Sequence, residues 1–337
     1  NSKYTGEASI LAILMMIFGV AILLLNQISV KSRKSYTTVT GKSGQISKFN
    51  LGRSGKYIIA IILIIITFFT SIFPIVSFAF ETFLPNPGDY SFLYTGDPDN
   101  LTTKWWVTNE NITENGMYGQ QGILYNDMIW HAYKGTIMVS VCCALTAGTI
   151  GTLIGYAVSK NRRSRWANYV NSVAFLPYLM PSIAVGVAFF ILFSNKYVNL
   201  FNTYALLIIV GTVKYIPFAS RSSLNSMLQL SGEIEEAAII QDIPWTKRMT
   251  RIIIPIQKTS IISGYLLPFM TCLRELSLFI LLCVQGFILS TTLDYFDEMG
   301  LYAFSSGINL ILIVTILICN ALVNKATGAS LDKGIGG

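Results

Sequence analysis

Apolar positions in this chain come in long unbroken runs, not in the alternation of a half-buried strand or the 3.6-residue stripe of a soluble helix. Seven runs approach the roughly 20 residues that a bilayer-spanning helix needs. They are Ala8–Asn26, Tyr57–Phe80, Gly135–Val158, Val170–Phe193, Tyr204–Ala219, Ile261–Val284 and Ile308–Val323. Within lipid every backbone N–H and C=O must be satisfied inside the segment, so each run is expected to be helical. The pattern therefore predicts an all-α polytopic membrane protein with seven transmembrane helices. One connection is long: residues 81–134 are rich in Asn, Gly, Asp and aromatics. There Trp105, Trp106, Trp130 and Tyr133 are expected at the membrane interface.

Composition agrees. Of 337 residues 53% are hydrophobic and 12% charged, against about 25% charged in a typical soluble domain. The net charge of +7 would suggest nucleic acid in a soluble protein. Its distribution says otherwise. Segments 27–56, 159–169 and 220–260 hold 16 of the 24 basic residues. The intervening connections are acidic: 81–134 has seven acids against Lys104 and Lys134, and 285–307 has three acids and no base. The positive-inside rule places the three basic segments in the cytoplasm. The partner this implies is the lipid bilayer, and no nucleic acid is expected.

Catalytic chemistry finds little footing. The five cysteines lie in apolar runs without a C-x-x-C pair, and there is one histidine, His131. No metal site is expected. Gly41-Lys42-Ser43 lacks the Gly five residues earlier that a phosphate-cradling loop requires, since position 36 is Tyr. The chain itself is not expected to bind ATP or to be an enzyme.

The most distinctive polar stretch is 231–255. Ser231 suits a helix N-cap, and Glu233 and Glu235 suit the positive end of the helix dipole. Glu236, Ala237 and Ala238 follow, with alanines that allow close approach of another surface. Ile239, Ile240 and Ile243 are expected to face the membrane domain. Asp242 and Pro244 should end the helix, and a second helical stretch, Thr246–Ile254, should end where Pro255 redirects the chain. The order Glu236-Ala237-Ala238, three residues, Asp242, nine residues, Ile252, one residue, Ile254, Pro255 resembles the Glu-Ala-Ala loop of the membrane subunits of binding-protein-dependent ABC importers. That family has Gly where this chain has Asp242.

Two further constellations sit in the apolar runs. Arg274-Glu275-Leu276-Ser277 falls near the middle of the sixth. Two adjacent charges lie about 100° apart around a helix, so each needs its own partner. They either line a translocation pathway or form a structural pair with a neighbouring helix. Pro177 and Pro181, with Tyr178 between them and Gly186 beyond, should kink the fourth run and free carbonyls for a pore or gate. Gly148, Gly151 and Gly155 predict close helix packing.

The resemblance implies a domain plan. Residues 57–337 look like one permease half, a leading helix and a five-helix core, with outer loop 81–134 and coupling loop 220–260. Residues 1–30 look like the last helix of a preceding half in the same polypeptide, and 31–56 like a basic cytoplasmic linker. The chain, which begins at Asn1, is thus expected to be the C-terminal part of something longer. This plan, and the Arg274-Glu275-Leu276-Ser277 segment, are most similar to fused iron(III)-type permeases of the bacterial inner membrane. The implied partners are an ABC ATPase dimer carrying ATP-Mg and an extracytoplasmic solute-binding protein. Glu236, Ala237, Ala238, Asp242, Ile252 and Pro255 would couple to the ATPase. Pro177, Tyr178, Pro181, Arg274, Glu275 and Ser277 would line the pathway. The solute implied is ferric iron, although related permeases carry thiamine, phosphonates, polyamines or sulfate. The competing class is an ion-coupled secondary transporter or channel, which needs no ATPase and gives no reason for the Glu-Ala-Ala spacing.

Overall fold

The computed structural model describes residues 52–86, 88–95, 101–112, 119–195 and 197–327, with isolated positions among the first 21 residues. The run Ala8–Asn26, the division at residues 1–30 and nearly all of the basic segment 31–56 lie outside the described residues. So does the Gly41-Lys42-Ser43 triplet.

Among the described residues, beside the single turns Phe92–Thr95 and Lys104–Val107, ten helices carry the architecture. They are α1 (Ser54–Glu81), α2 (Asp127–Lys160), α3 (Arg165–Leu179), α4 (Ser182–Phe193), α5 (Tyr204–Gln229), α6 (Gly232–Ile240), α7 (Trp245–Ile256), α8 (Lys258–Leu273), α9 (Leu289–Glu298) and α10 (Tyr302–Thr327). The helices α1, α2, α5 and α10 are each long and apolar enough to cross a membrane. The pairs α3–α4, bent by 100°, and α7–α8, bent by 86°, pass the same test when each is taken together. In α1 a π-helical stretch, Phe68–Ile72, precedes Pro74. Pro74 cannot donate to the preceding turn, and its ring crowds the carbonyl four residues back, so the wider turn absorbs the misfit. The side chains of α1 are apolar and exposed over most of its length, as expected of a helix solvated by lipid.

The core is the crossing of α2 and α5, with α8 packed against both. Glycine makes it possible. A Cβ on Gly151 would stand 2.5 Å from the Ala219 Cβ, and one on Gly155 2.7 Å from the Leu224 nitrogen. Asn126 caps α2 by accepting from the Ile129 N–H at 3.2 Å. Thr203 does the same for α5 through Leu206.

The two ends of the bundle differ as the charge pattern requires. At one end the basic loop 161–164, α6 and α7 meet, over a core of Met227, Met249, Ile253 and Ile261. At the other, the described parts of the acidic segment 81–134 fold onto α9 and the start of α10. Its core holds Trp105, Ile123, Ile129, Phe296 and Phe304.

Three expectations need correction. Trp105 is buried, 8% exposed, with its indole N–H donating to the Leu84 carbonyl at 2.7 Å and its ring against Phe304. It is a core residue of the outer cap because that cap is folded. The fourth run is two helices, not one kinked helix. The sixth run is helical only to Leu273, after which residues 274–288 run as turns, bends and irregular backbone. Leu278, Phe279 and Leu282 are fully buried among other helices. Irregular backbone at that depth is tolerated because protein, not lipid, surrounds it. Hydropathy registers burial in either medium, so the apolar run outlasted the helix. The argument that Arg274 and Glu275 diverge around one helix therefore does not apply.

Candidate functional site

The first region is α6–α7 at the basic end. The Ser231 hydroxyl accepts from the Glu233 N–H at 3.4 Å, the cap that starts α6. The register of α6 is set by Glu235, which is 6% exposed. Its carboxylate accepts from the Tyr156 hydroxyl and pairs with Lys160, both on α2, and the Arg248 Nε of α7 lies 4.0 Å away. Burial pushes the Glu235 carboxyl up. The Lys160 and Tyr156 hydrogen bonds, and the charges of Lys160 and Arg248, outweigh burial and hold it below the usual carboxylate range. Ala238, one turn on, is buried on the same face.

That register turns Glu236, Ala237, Ile239 and Ile240 outward. Ile239 is 49% exposed and Ile240 83%, so the expectation that they face the membrane domain is corrected. The buried carboxylate beside Glu236, which must reach Tyr156 and Lys160, decides which face points in; Ile243 is half-buried. The helix ends in a Schellman motif: Ile243 N–H donates to the Ala238 carbonyl at 3.1 Å and Asp242 N–H to Ile239 at 2.9 Å. Asp242 has φ +50°, the left-handed conformation that glycine adopts freely and Asp tolerates. Ile252 is half-buried, Ile253 buried and Pro255 exposed. The chain turns at Gln257, two residues past Pro255, where the Gln257 amide donates to the Ser226 carbonyl at 3.1 Å.

The second region is the break between α3 and α4. Pro181 has no N–H for the Pro177 carbonyl and bars Met180 from helical backbone. Met180 is extended, ψ 136°, and α4 starts at Ser182. Lys214 of α5, only 8% exposed, fills the gap: its ammonium donates to the Pro177 carbonyl at 3.0 Å and to the Met180 carbonyl at 2.6 Å. A cation thus meets the negative end of α3. Across the same cavity, of about 560 Å³, lies Glu275. Its carboxylate accepts from the Tyr215 hydroxyl at 2.9 Å and from the Leu278 N–H at 3.1 Å. Tyr178, Pro181, Phe218 and Thr271 also line the cavity, with Tyr178 edge-on to Phe218 at 5.5 Å. A Cβ on Gly186 would stand 2.7 Å from the Leu278 carbonyl oxygen, which fixes α4 against the turns after α8.

Of the residues expected on a pathway, Tyr178, Pro181 and Glu275 meet at this cavity, and Pro177 reaches it through its carbonyl. Arg274 and Ser277 are exposed and do not line it. Sequence reasoning missed Lys214 and Glu235. The signal for Lys214 was available: a lone lysine in the apolar run Tyr204–Ala219. Glu235 was read only as a first-turn acid. His131 Nδ1 donates to the Gly286 carbonyl at 2.9 Å, far in sequence from both regions.

Residues 147–329 match the family described as "Binding-protein-dependent transport system inner membrane component". The chain is 24% identical over 279 residues to the putative ferric transport system permease protein FbpB 1 of Haemophilus influenzae. That alignment covers 82% of this chain and 40% of the relative, so the chain spans about half the length of that protein. It is 26% identical over 204 residues to the putrescine transport system permease protein PotI of Escherichia coli, covering 58% of this chain and 68% of the relative. Among solved structures, a chain of a bacterial alginate ABC transporter in complex with an alginate pentasaccharide-bound periplasmic protein superimposes with a TM-score of 0.57. It is 15% identical, and the match covers 82% of this chain and 96% of that one. At that identity the likeness is one of fold.

Proposed function

The chain belongs to the family of binding-protein-dependent transport system inner membrane components, and on that premise we propose that it is the permease part of an ATP-driven importer. In this reading α6 docks on an ABC ATPase subunit that holds ATP-Mg. A solute-binding protein delivers cargo at the acidic end. The α3–α4 cavity lies on the path inward, and residues 57–337 act as one permease half joined to another. The ferric transport relative favours ferric iron as cargo, and the putrescine and alginate systems are the competing solute classes.

The observation that carries the reading is the two-sided chemistry of α6. Glu235 and Ala238 tie the helix to the bundle, leaving Glu236, Ala237 and Ile240 free at the basic end. Asp242 meets the conformational demand of the family's glycine. A partner groove would receive the exposed Ile240 and close on Ala237, while Glu236 supplies one directional polar contact. ATP-driven closure of the partner dimer would then move α6–α7 and rock the helices attached to them. The chain contributes no catalytic group.

The test is co-purification from gently solubilised membranes, using the full-length protein. An ATPase subunit is expected to stay with the wild type and to leave with Glu236→Lys, although that variant still inserts. Absence of any ATPase, together with uptake driven by a proton or sodium gradient, would instead favour the ion-coupled carrier, with Glu275 as its first coupling candidate.

A further inference from the structure

Lys214 of α5 meets the α3–α4 break, the sharper of the two bends between paired helices among the described residues. The break leaves two carbonyls without peptide donors: Pro177, because Pro181 has no N–H, and Met180, because the chain there is extended. Both are satisfied by a single ammonium from α5. A bare carbonyl pair at this depth would be costly, and so would an unpaired lysine, so each stabilises the other. Helix α5 is continuous for 26 residues, with Pro217 inside it three residues past Lys214, and only Leu230 and Ser231 separate its end from α6. A displacement of α6 therefore reaches Lys214 through one helix, whose lost hydrogen bond at Pro217 lets it flex beside that lysine. The neighbouring residue, Tyr215, holds Glu275 on the far wall of the same cavity.

We propose that Lys214 is the positioning residue of the gate. It is a latch that pins the α3–α4 break to α5 and, when α5 moves, passes from the Pro177 and Met180 carbonyls to the carboxylate of Glu275. No proton is transferred in this exchange. The released carbonyls are hydrated by water entering the opened cavity, and the lysine charge passes from a helix end to a full counter-charge. The latch rests on the importer reading above, since it needs a partner to move α6.

The experiment uses the full-length protein with its ATPase, reconstituted in proteoliposomes and carrying Tyr178→Cys. The probe is methanethiosulfonate-ethylammonium, read by mass spectrometry at the peptide that contains residue 178. With Lys214 in place, the labelling rate is expected to differ about tenfold between nucleotide-free and vanadate-trapped states, the scale of charged hydrogen bonds made in one state only. Lys214→Met should label at one rate in both states, and Lys214→Arg, which can still donate to two carbonyls, should restore the difference. A purely structural lysine would lower yield without erasing the nucleotide dependence. If Lys214→Met does not insert, Lys214→Gln replaces it, with an intermediate ratio expected. A Met or Gln variant with the full wild-type ratio overturns the latch. No nucleotide dependence in the Lys214 protein, with no ATPase retained, overturns the importer reading and the latch with it.

Discussion

The two charged regions of this molecule solve the same problem in different ways. At the basic end, Glu235 is buried against side chains, Tyr156, Lys160 and Arg248, contributed by two other helices. At the cavity, Lys214 is satisfied by backbone carbonyls, and Glu275 by a tyrosine and a backbone N–H. Near water, long basic side chains are plentiful, and their stems reach across at modest desolvation cost. At bilayer depth each further side-chain charge costs about 2.5–3.5 kcal/mol or more. There the cheaper partner is a backbone already freed by a break. A broken helix is thus both the cause and the solvation shell of the buried lysine, and one proline at position 181 supplies it.

The comparison breaks most completely if the frame common to both regions is lost. Gly151→Leu places a side chain where even a Cβ would stand 2.5 Å from Ala219. Separation of α2 from α5 would dislodge Tyr156 and Lys160 at one end and Lys214 in the middle. Overpacking of this kind costs about 1–3 kcal/mol or more, and here the neighbours are backbone. Little monodisperse protein should be recovered in detergent, as read by size-exclusion chromatography.

Next in size is Glu235→Gln, which acts on the basic end alone. Removing the charge leaves Lys160 and Arg248 without their acid, and about 1–3 kcal/mol of α6 docking should go. The thermal midpoint should fall while the nucleotide-free accessibility of residue 178 stays as in the wild type. A shift in both without nucleotide would show that the resting cavity depends on the Glu235 contact. The same contact predicts a pH dependence. The carboxyl of Glu235 is held below its ordinary value. Its contribution is therefore present above the ordinary carboxylate range and is lost as pH falls through the depressed value. Amide exchange of residues 232–240, corrected for the intrinsic rate, should rise on acidification, and in Glu235→Gln that dependence should vanish.

The smallest effect sharpens the reading of the helix end. Asp242 sits at φ +50°. Replacement by Gly removes strain but loosens the unfolded chain, so stability should stay within about 1 kcal/mol. Asp242→Val should cost about 1–2 kcal/mol, because a β-branched residue fits the left-handed region poorly. Thermal unfolding of the three proteins side by side measures both.

What was legible in the sequence follows the same division. The ends of α6, its Ser231 cap and its stop at Asp242 and Pro244 are local features within a dozen residues, and they could be read directly. Four long helices and the opposition of basic and acidic ends were legible too, because lipid imposes length and charge asymmetry on the chain itself. The cavity was half legible. Pro177 and Pro181 announced a disturbance, and Glu275 stood out as an acid in an apolar run. But Lys214 meets Pro177 across 37 residues of sequence, and Tyr215 meets Glu275 across 60. No periodicity encodes such pairings. The inward face of α6 failed for a related reason: apolarity favoured Ile239 and Ile240, and the buried carboxylate of Glu235, reaching back to α2, overruled it.

The most direct test of the account is ATP-dependent uptake by the full-length protein with the proposed ATPase and solute-binding protein in sealed proteoliposomes, wild type against Glu236→Lys. The account predicts uptake that requires ATP inside the vesicle-equivalent of the cytoplasm and falls at least tenfold in the variant, with helix content unchanged, about 1.4 kcal/mol or more of lost coupling. Equal uptake by both proteins, or uptake indifferent to ATP, would contradict it.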